Sequence, residues 1–143
     1  MNGFLIDTNV LSEYNRIGGP DPGVKSWLES TDRELQFVSV ITFAEIQKGI
    51  GLLAEGKRRT ELDRWLNQDL EAWFQGRVLP VDRLVARHWS ELVVANTRSG
   101  RPIPTLDSLS AATALAHNLV IITRNIKDFE GTPISTHNPW SAL

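Results

Sequence analysis

The stretch Phe4-Leu5-Ile6-Asp7-Thr8-Asn9 decides the reading of the chain. Three apolar residues in unbroken succession suit a strand buried on both faces, as in a parallel sheet covered on each side by helices. A carboxylate follows directly, at the strand end where open parallel sheets bind their ligands. Working outward, Phe37-Val38-Ser39-Val40, Val78-Leu79-Pro80-Val81 and Leu119-Val120-Ile121-Ile122 repeat the pattern. Between these runs lie helical stripes: Leu62, Trp65, Leu66, Leu70, Trp73 and Phe74, then Val85, Trp89, Leu92, Val93 and Asn96, at three- to four-residue spacing. Strand and helix in alternation predict an α/β three-layer sandwich, right-handed, with a parallel four- to five-stranded sheet flanked by helices. Gly18-Gly19-Pro20-Asp21-Pro22-Gly23 and Ser99-Gly100-Arg101-Pro102-Ile103-Pro104 are turn clusters too short to be linkers, so residues 1–143 read as one domain.

Composition narrows the chemistry. The chain has 143 residues, 41% hydrophobic and 22% charged, the profile of a folded globular domain. Fifteen Lys and Arg against 17 Asp and Glu give a net charge of −2, so any nucleic-acid contact is local rather than a broad basic surface. The absence of cysteine excludes disulfides, thiolate zinc sites and a cysteine nucleophile. The N-terminal apolar run stops after three residues, far short of a signal core or a membrane span, which points to a cytoplasmic protein. Phosphate-cradling Gly-x-x-x-x-Gly-Lys, Gly-x-Ser-x-Gly and Gly-x-Gly-x-x-Gly motifs are missing, and His88, His117 and His137 lack ligand spacing.

Acidic residues fall where the strands end. Asp7 closes the first strand, as a helix N-cap or a functional group. Glu45, in Ile41-Thr42-Phe43-Ala44-Glu45-Ile46, lies in the first turns of the next helix among apolar neighbours. Asp107 sits in a helical first turn for which Thr105 is the expected cap, and Asn125 and Asp128 follow the last strand. Brought to one rim, such carboxylates repel one another by about 4 kcal/mol per pair at 4 Å and an effective dielectric near 20. A divalent cation offsets that repulsion, and oxygen-only ligands favour Mg²⁺ or Mn²⁺ over Zn²⁺. Metal-assisted phosphodiester hydrolysis is the matching reaction.

Taken in order, Leu-Ile-Asp-Thr-Asn at 5–9, Thr-Phe-Ala-Glu-Ile at 42–46 with Gly49, Leu-Asp-Ser-Leu-Ser-Ala-Ala-Thr-Ala at 106–114 and Thr-Arg-Asn-Ile-Lys-Asp-Phe at 123–129 resemble the PIN-domain family. More narrowly, they resemble the VapC/FitB-type toxins of bacterial toxin–antitoxin pairs, with a closing Asn138-Pro139-Trp140 common to that subgroup. The resemblance implies a PIN-like sandwich and a Mg²⁺- or Mn²⁺-dependent endoribonuclease. It also implies a homodimer or a toxin–antitoxin hetero-oligomer, neutralised by a small antitoxin. Carried onto this chain, Asp7, Glu45 and Asp107 are the metal-holding and catalytic acids. The fourth catalytic position is Asp128, or is filled by the neutral Asn125. Thr8, Asn9 and Thr123 orient the carboxylates, and Arg124 and Asn125 stand beside the substrate.

Local positive charge for RNA is expected first at Arg124, then at Lys127, Lys57-Arg58-Arg59, Arg77, Arg98 and Arg101. Five tryptophans exceed what one small core needs, so one or more are candidates to line a groove for a partner helix or a dimer interface. Two other readings stand beside the nuclease. One is a haloacid-dehalogenase-type phosphatase with Asp7 as nucleophile, against which Asn9 stands where that family has its second aspartate. The other is a PIN-like binding module without chemistry.

Overall fold

A computed structural model describes residues 2–141. In chain order it comprises β1 (Phe4–Ile6), α1 (Thr8–Ser12), α2 (Pro22–Ser30), β2 (Gln36–Ser39), α3 (Val40–Gly51), α4 (Lys57–Arg64), α5 (Glu71–Trp73), β3 (Val78–Leu79), α6 (Arg83–Arg98), α7 (Thr105–His117), β4 (Val120–Ile122) and β5 (Thr136–His137). The sheet runs β3-β2-β1-β4-β5 with every neighbouring pair parallel. The first strand is therefore central, with Phe4 in register with Gln36 on one side and Val120 on the other.

Adjacent residues of a strand face opposite sides of a sheet, and the apolar runs divide accordingly. Ile6, Val38 and Ile122 join Val10, Leu11, Val24, Leu28, Ile46, Ile50, Leu66, Leu70 and Phe74 in one core layer. Leu5 and Ile121 turn the other way, onto Leu92 of α6, Ala111 and Ala114 of α7, and Phe129. The expected three-layer sandwich is thus formed, with all carboxyl strand ends on one rim. Among the described residues no helix is long and apolar enough to cross a membrane.

Several boundaries differ from the sequence reading, each for a local reason. Val40 is the first residue of α3 rather than the end of a strand, because the Ser39 hydroxyl accepts from the Ile41 N–H at 3.0 Å and caps the helix. Strand β3 stops at Leu79, since Pro80 has no N–H to give the ladder. Thr105 does not cap α7 but is its first residue, with Pro104 at the cap position and no side-chain cap bond there. The fifth strand, Thr136–His137, is two residues long and polar, so no apolar run announces it. A π-helical turn over Trp65–Leu70 joins α4 to α5, and Leu66, Leu70 and Phe74 are buried at four-residue spacing along it. Asn118 (φ 54) ends α7 in the left-handed region that asparagine tolerates, turning the chain straight into β4.

Candidate active site

The acids are assembled by the sheet itself. The Asp7 N–H donates to the Ile122 carbonyl at 3.0 Å, extending the β1–β4 ladder one residue past the strand and fixing Asp7 at the rim. Its side chain caps α1, with Oδ1 accepting from the Thr8 N–H at 2.9 Å. Oδ2 accepts from the Thr123 hydroxyl at 2.8 Å and from Asn9 Nδ2 at 3.2 Å. The Thr123 hydroxyl in turn accepts from Asn9 Nδ2 and from the Asn125 N–H, both at 3.1 Å. One donor and two acceptor positions are all used, so the Thr123 rotor is locked on Asp7. Asn9 Oδ1 accepts from the Arg124 N–H at 3.1 Å, which ties the loop after β4 to the loop after β1.

Glu45 comes in from α3. Its Oε1 accepts from the Thr8 hydroxyl at 2.8 Å, and that hydroxyl is also in hydrogen-bond contact with buried Thr42 at 3.2 Å, one helical turn before Glu45. Asp107 arrives on the first turn of α7. Asp7, Glu45 and Asp107 line one cleft of about 400 Å³ with Thr8, Asn9, Ser12, Glu13, Arg124, Asn125 and Trp140. Asp128 is exposed on the short 3-10 turn Ile126–Phe129 and does not line the cleft. The cleft wall at the fourth position is Asn125, and Asp128 acts on the acids through its charge.

Electrostatics record the crowding. Burial pushes the Asp107 carboxyl up to about 6, and the charges of Asp7, Asp128 and Glu45 push the same way. Burial also raises Asp7, against hydrogen bonds from Thr123, Thr8 and Asn9 that favour its ionised form. Among the described residues, no three His, Cys, Asp or Glu side chains are already drawn together tightly enough to ligate one ion. The mutual repulsion registered at Asp107 shows that the acids nonetheless share one field. The donor set is all oxygen, and Mg²⁺ keeps several waters while taking one or two carboxylates, so these residues fit a hydrated hard cation.

Glu13, Ser12 and Trp140 were not legible as part of this site. Glu13 is only 7% exposed, and its Oε1 accepts from Arg16 Nη1 at 2.9 Å and from the Asp21 N–H at 3.0 Å. It reads in sequence as an ordinary helix-end acid, and only the fold turns it inward. Other expectations change character. Arg77 donates to the carbonyls of Gln36 (2.7 Å), Trp73 and Arg33, stapling the edge of the sheet rather than facing solvent for RNA. Lys57 pairs with Glu61 at 3.8 Å and Arg58 bonds the Asn15 carbonyl. The groove beside the acids is lined by Ile46, Ile50, Leu53 and Leu62, with no tryptophan in its wall. Trp27, Trp65 and Trp73 pack on the core, and Trp89 Nε1 donates to the Ser108 hydroxyl at 2.9 Å.

Comparison with known proteins places this arrangement. The profile of the PIN domain matches residues 4–133. The chain belongs to the PIN-domain family. This PIN domain is 35% identical over 137 residues to VapC ribonuclease Y4jK of Sinorhizobium fredii, covering 96% of this chain and 97% of that one. It is 37% identical over 137 residues to Toxin FitB of Neisseria gonorrhoeae, covering 96% and 98%. The crystal structure of FitAcB from Neisseria gonorrhoeae superposes with a TM-score of 0.90 at 36% identity, over 97% of this PIN domain and 99% of that chain. FitAB bound to IR36 DNA fragment gives a TM-score of 0.90 at 34% identity, over 98% and 97%.

Proposed function

We propose that this PIN domain is a metal-dependent endoribonuclease and the toxin of a toxin–antitoxin pair. The observation that carries the reading is the Asp107 carboxyl, held up at about 6 by burial and by three other carboxylates at the rim of a parallel sheet. A fold that only had to be stable would not gather self-repelling acids in a cleft. The kinship with a VapC ribonuclease and with FitB supports RNA as substrate and toxicity as role. Asp7, Glu45 and Asp107 would hold Mg²⁺ or Mn²⁺, with Asp128 adding long-range negative charge. When bound, the cation would lower the pKa of a coordinated water and neutralise charge on the attacked phosphoryl oxygen. The protein's own contribution is orientation: Thr123 and Asn9 fix both faces of Asp7 Oδ2, and Thr8 fixes Glu45. Asn9, in donating to Asp7, occupies the position where an aspartyl-phosphatase needs a second acid, which disfavours that chemistry.

The antitoxin belongs to the same proposal. FitB is found with its partner in the FitAcB structure, and here an apolar groove of about 310 Å³ shares Thr8, Ser12 and Glu45 with the acidic cleft. A partner segment seated on Ile46, Ile50, Leu53 and Leu62 would reach the acids directly. The chain would then work as a homodimer or within a hetero-oligomer with that small protein. The test is cleavage of a structured RNA pool with Mg²⁺, with Mn²⁺ and with chelator, beside Asp7→Asn. Metal-dependent cutting by the parent, lost in the variant and on addition of the partner, is expected. Cutting that survives chelation or the Asp7→Asn change would overturn the mechanism, and no cutting of any RNA would overturn the activity.

A further inference from the structure

An acidic cleft in a chain of net charge −2 must still admit a polyanion. Among the described residues, Arg124 is the only basic one in the cleft wall. Its neighbours there include Asp7, Glu13, Glu45 and Asp107, yet among the described residues its guanidinium forms no ion pair and no hydrogen bond. Its carbon instead lies 5.3 Å from the centre of the Trp140 ring. Arg16, by contrast, pairs with Glu13 of the cleft wall at 2.9 Å.

We propose that Trp140 is a positioning residue for substrate: its ring holds Arg124 at the cleft mouth, so that the guanidinium meets an RNA phosphate instead of collapsing onto the acids. The inference rests on the ribonuclease reading above. A guanidinium stacked on an aromatic face keeps its N–H donors in the plane, directed sideways and free for a phosphate. Trp140 is suited to that use because its own N–H is idle: Nε1 is buried and finds no acceptor among the described residues. The ring thus acts through its face and its packing on the core.

The tail that carries the ring is clamped from both sides. Asn138 Oδ1 accepts from the Trp140 N–H at 2.9 Å. The N–H and hydroxyl of Ser141 both donate to Asp21 Oδ2, at 2.9 and 3.1 Å, and that hydroxyl accepts from the Gly23 N–H at 2.9 Å. Gly23 leaves no room between α2 and the tail, for a Cβ there would lie 2.5 Å from the Pro139 carbonyl oxygen and the Ser141 nitrogen. These contacts place Trp140 without help from the acids, so Arg124 has a fixed seat.

The experiment measures binding of a short mixed-sequence single-stranded RNA by fluorescence anisotropy, in chelator and across a salt series. The proteins are the parent, Arg124→Ala, Trp140→Phe, Trp140→Leu and Arg124→Ala with Trp140→Leu; thermal melting checks that each is folded. Leucine keeps apolar bulk under the tail but offers no ring face, and phenylalanine keeps both. Losing a charged hydrogen bond should weaken Arg124→Ala and Trp140→Leu by about 10-fold each. Each should also flatten the logarithmic salt dependence by about 0.7. Trp140→Phe should stay within about 2-fold of the parent, and the double variant should bind no worse than Arg124→Ala alone. If Trp140→Leu binds like the parent while Arg124→Ala does not, the positioning role is wrong and the ribonuclease reading stands. If Arg124→Ala itself binds like the parent, the phosphate contact is wrong. A parent that binds no RNA overturns this inference, while the cleavage test with Mg²⁺ or Mn²⁺ decides the ribonuclease reading separately.

Discussion

Replacing Asp107 by asparagine should stabilise this protein when divalent cations are chelated. The carboxyl is raised from 3.8 to about 6, chiefly by burial, and it receives no hydrogen bond among the described residues, so the amide leaves no donor unmatched. A shift of about two units corresponds to roughly 3 kcal/mol against the folded, ionised form, and solvent screening at this half-open position reduces it to about 1–2 kcal/mol. Between pH 3.8 and about 6 the folded state binds the proton and the unfolded state does not, so the parent loses stability as pH rises through that window. Asparagine does not titrate there. The variant's advantage should therefore be absent below 3.8 and complete above about 6. At pH 8 with chelator it should appear as a Tm higher by roughly 3–8 °C, and at pH 4 most of it should be gone. Adding Mg²⁺ should raise the parent's Tm and narrow the gap. A variant no more stable than the parent at pH 8, or an advantage unchanged at pH 4, would refute the repulsion argument.

Other outcomes follow from the same geometry. Thr8→Val removes the donor to Glu45 Oε1 and should lower divalent-metal affinity by about 10–100-fold, measured by calorimetry, with a smaller change in Tm. Asp128→Asn should bring the Asp107 pKa below about 6 without restoring it to 3.8, because burial is the larger cause; carboxyl NMR titration reads this directly. Gly23→Ala drives a methyl into the Pro139–Ser141 backbone and should cost about 1–3 kcal/mol in chemical denaturation, with a change in tryptophan emission as the tail lifts. Mg²⁺ at about 100 times its Kd should stabilise the parent by about 2.7 kcal/mol, and Asp7→Asn should lose most of that gain.

Much of this was readable in the chain because buried parallel strands leave a plain mark. Phe4-Leu5-Ile6 and Leu119-Val120-Ile121-Ile122 are apolar throughout since both faces of the sheet are covered, and the residue after each is forced to the rim. Asp7 could be found because it stands at such an exit, and Glu45 and Asp107 because each lies in the early turns of a helix among apolar neighbours. Asn125 and Asp128 could not be ranked from sequence, as three residues of irregular turn decide that one lines the cleft and the other faces solvent. Glu13 was hidden for a related reason: its i,i+3 spacing to Arg16 reads as an ordinary exposed helical pair, and the Asp21 N–H that also holds it lies eight residues on, in a loop. Trp140 was marked only through the Asn138-Pro139-Trp140 resemblance, with nothing to set it at the cleft, for what places it is a clamp between Ser141 and Asp21, 120 residues apart.

Because β1 lies at the middle of the sheet and pairs with β4, the cleft is built from segments far apart in the sequence. The Asp7–Thr123 hydrogen bond alone spans 116 positions. At roughly 5–20 residues per second, a ribosome takes about 6–23 s to travel from one to the other. Throughout that interval the nascent polypeptide has Asp7 without the hydroxyl that aims it, and without Asp107 for most of the time. The oriented carboxylate therefore comes into being only after both segments have emerged, and a chain interrupted before Thr123 has the acid without the hydroxyl that aims it.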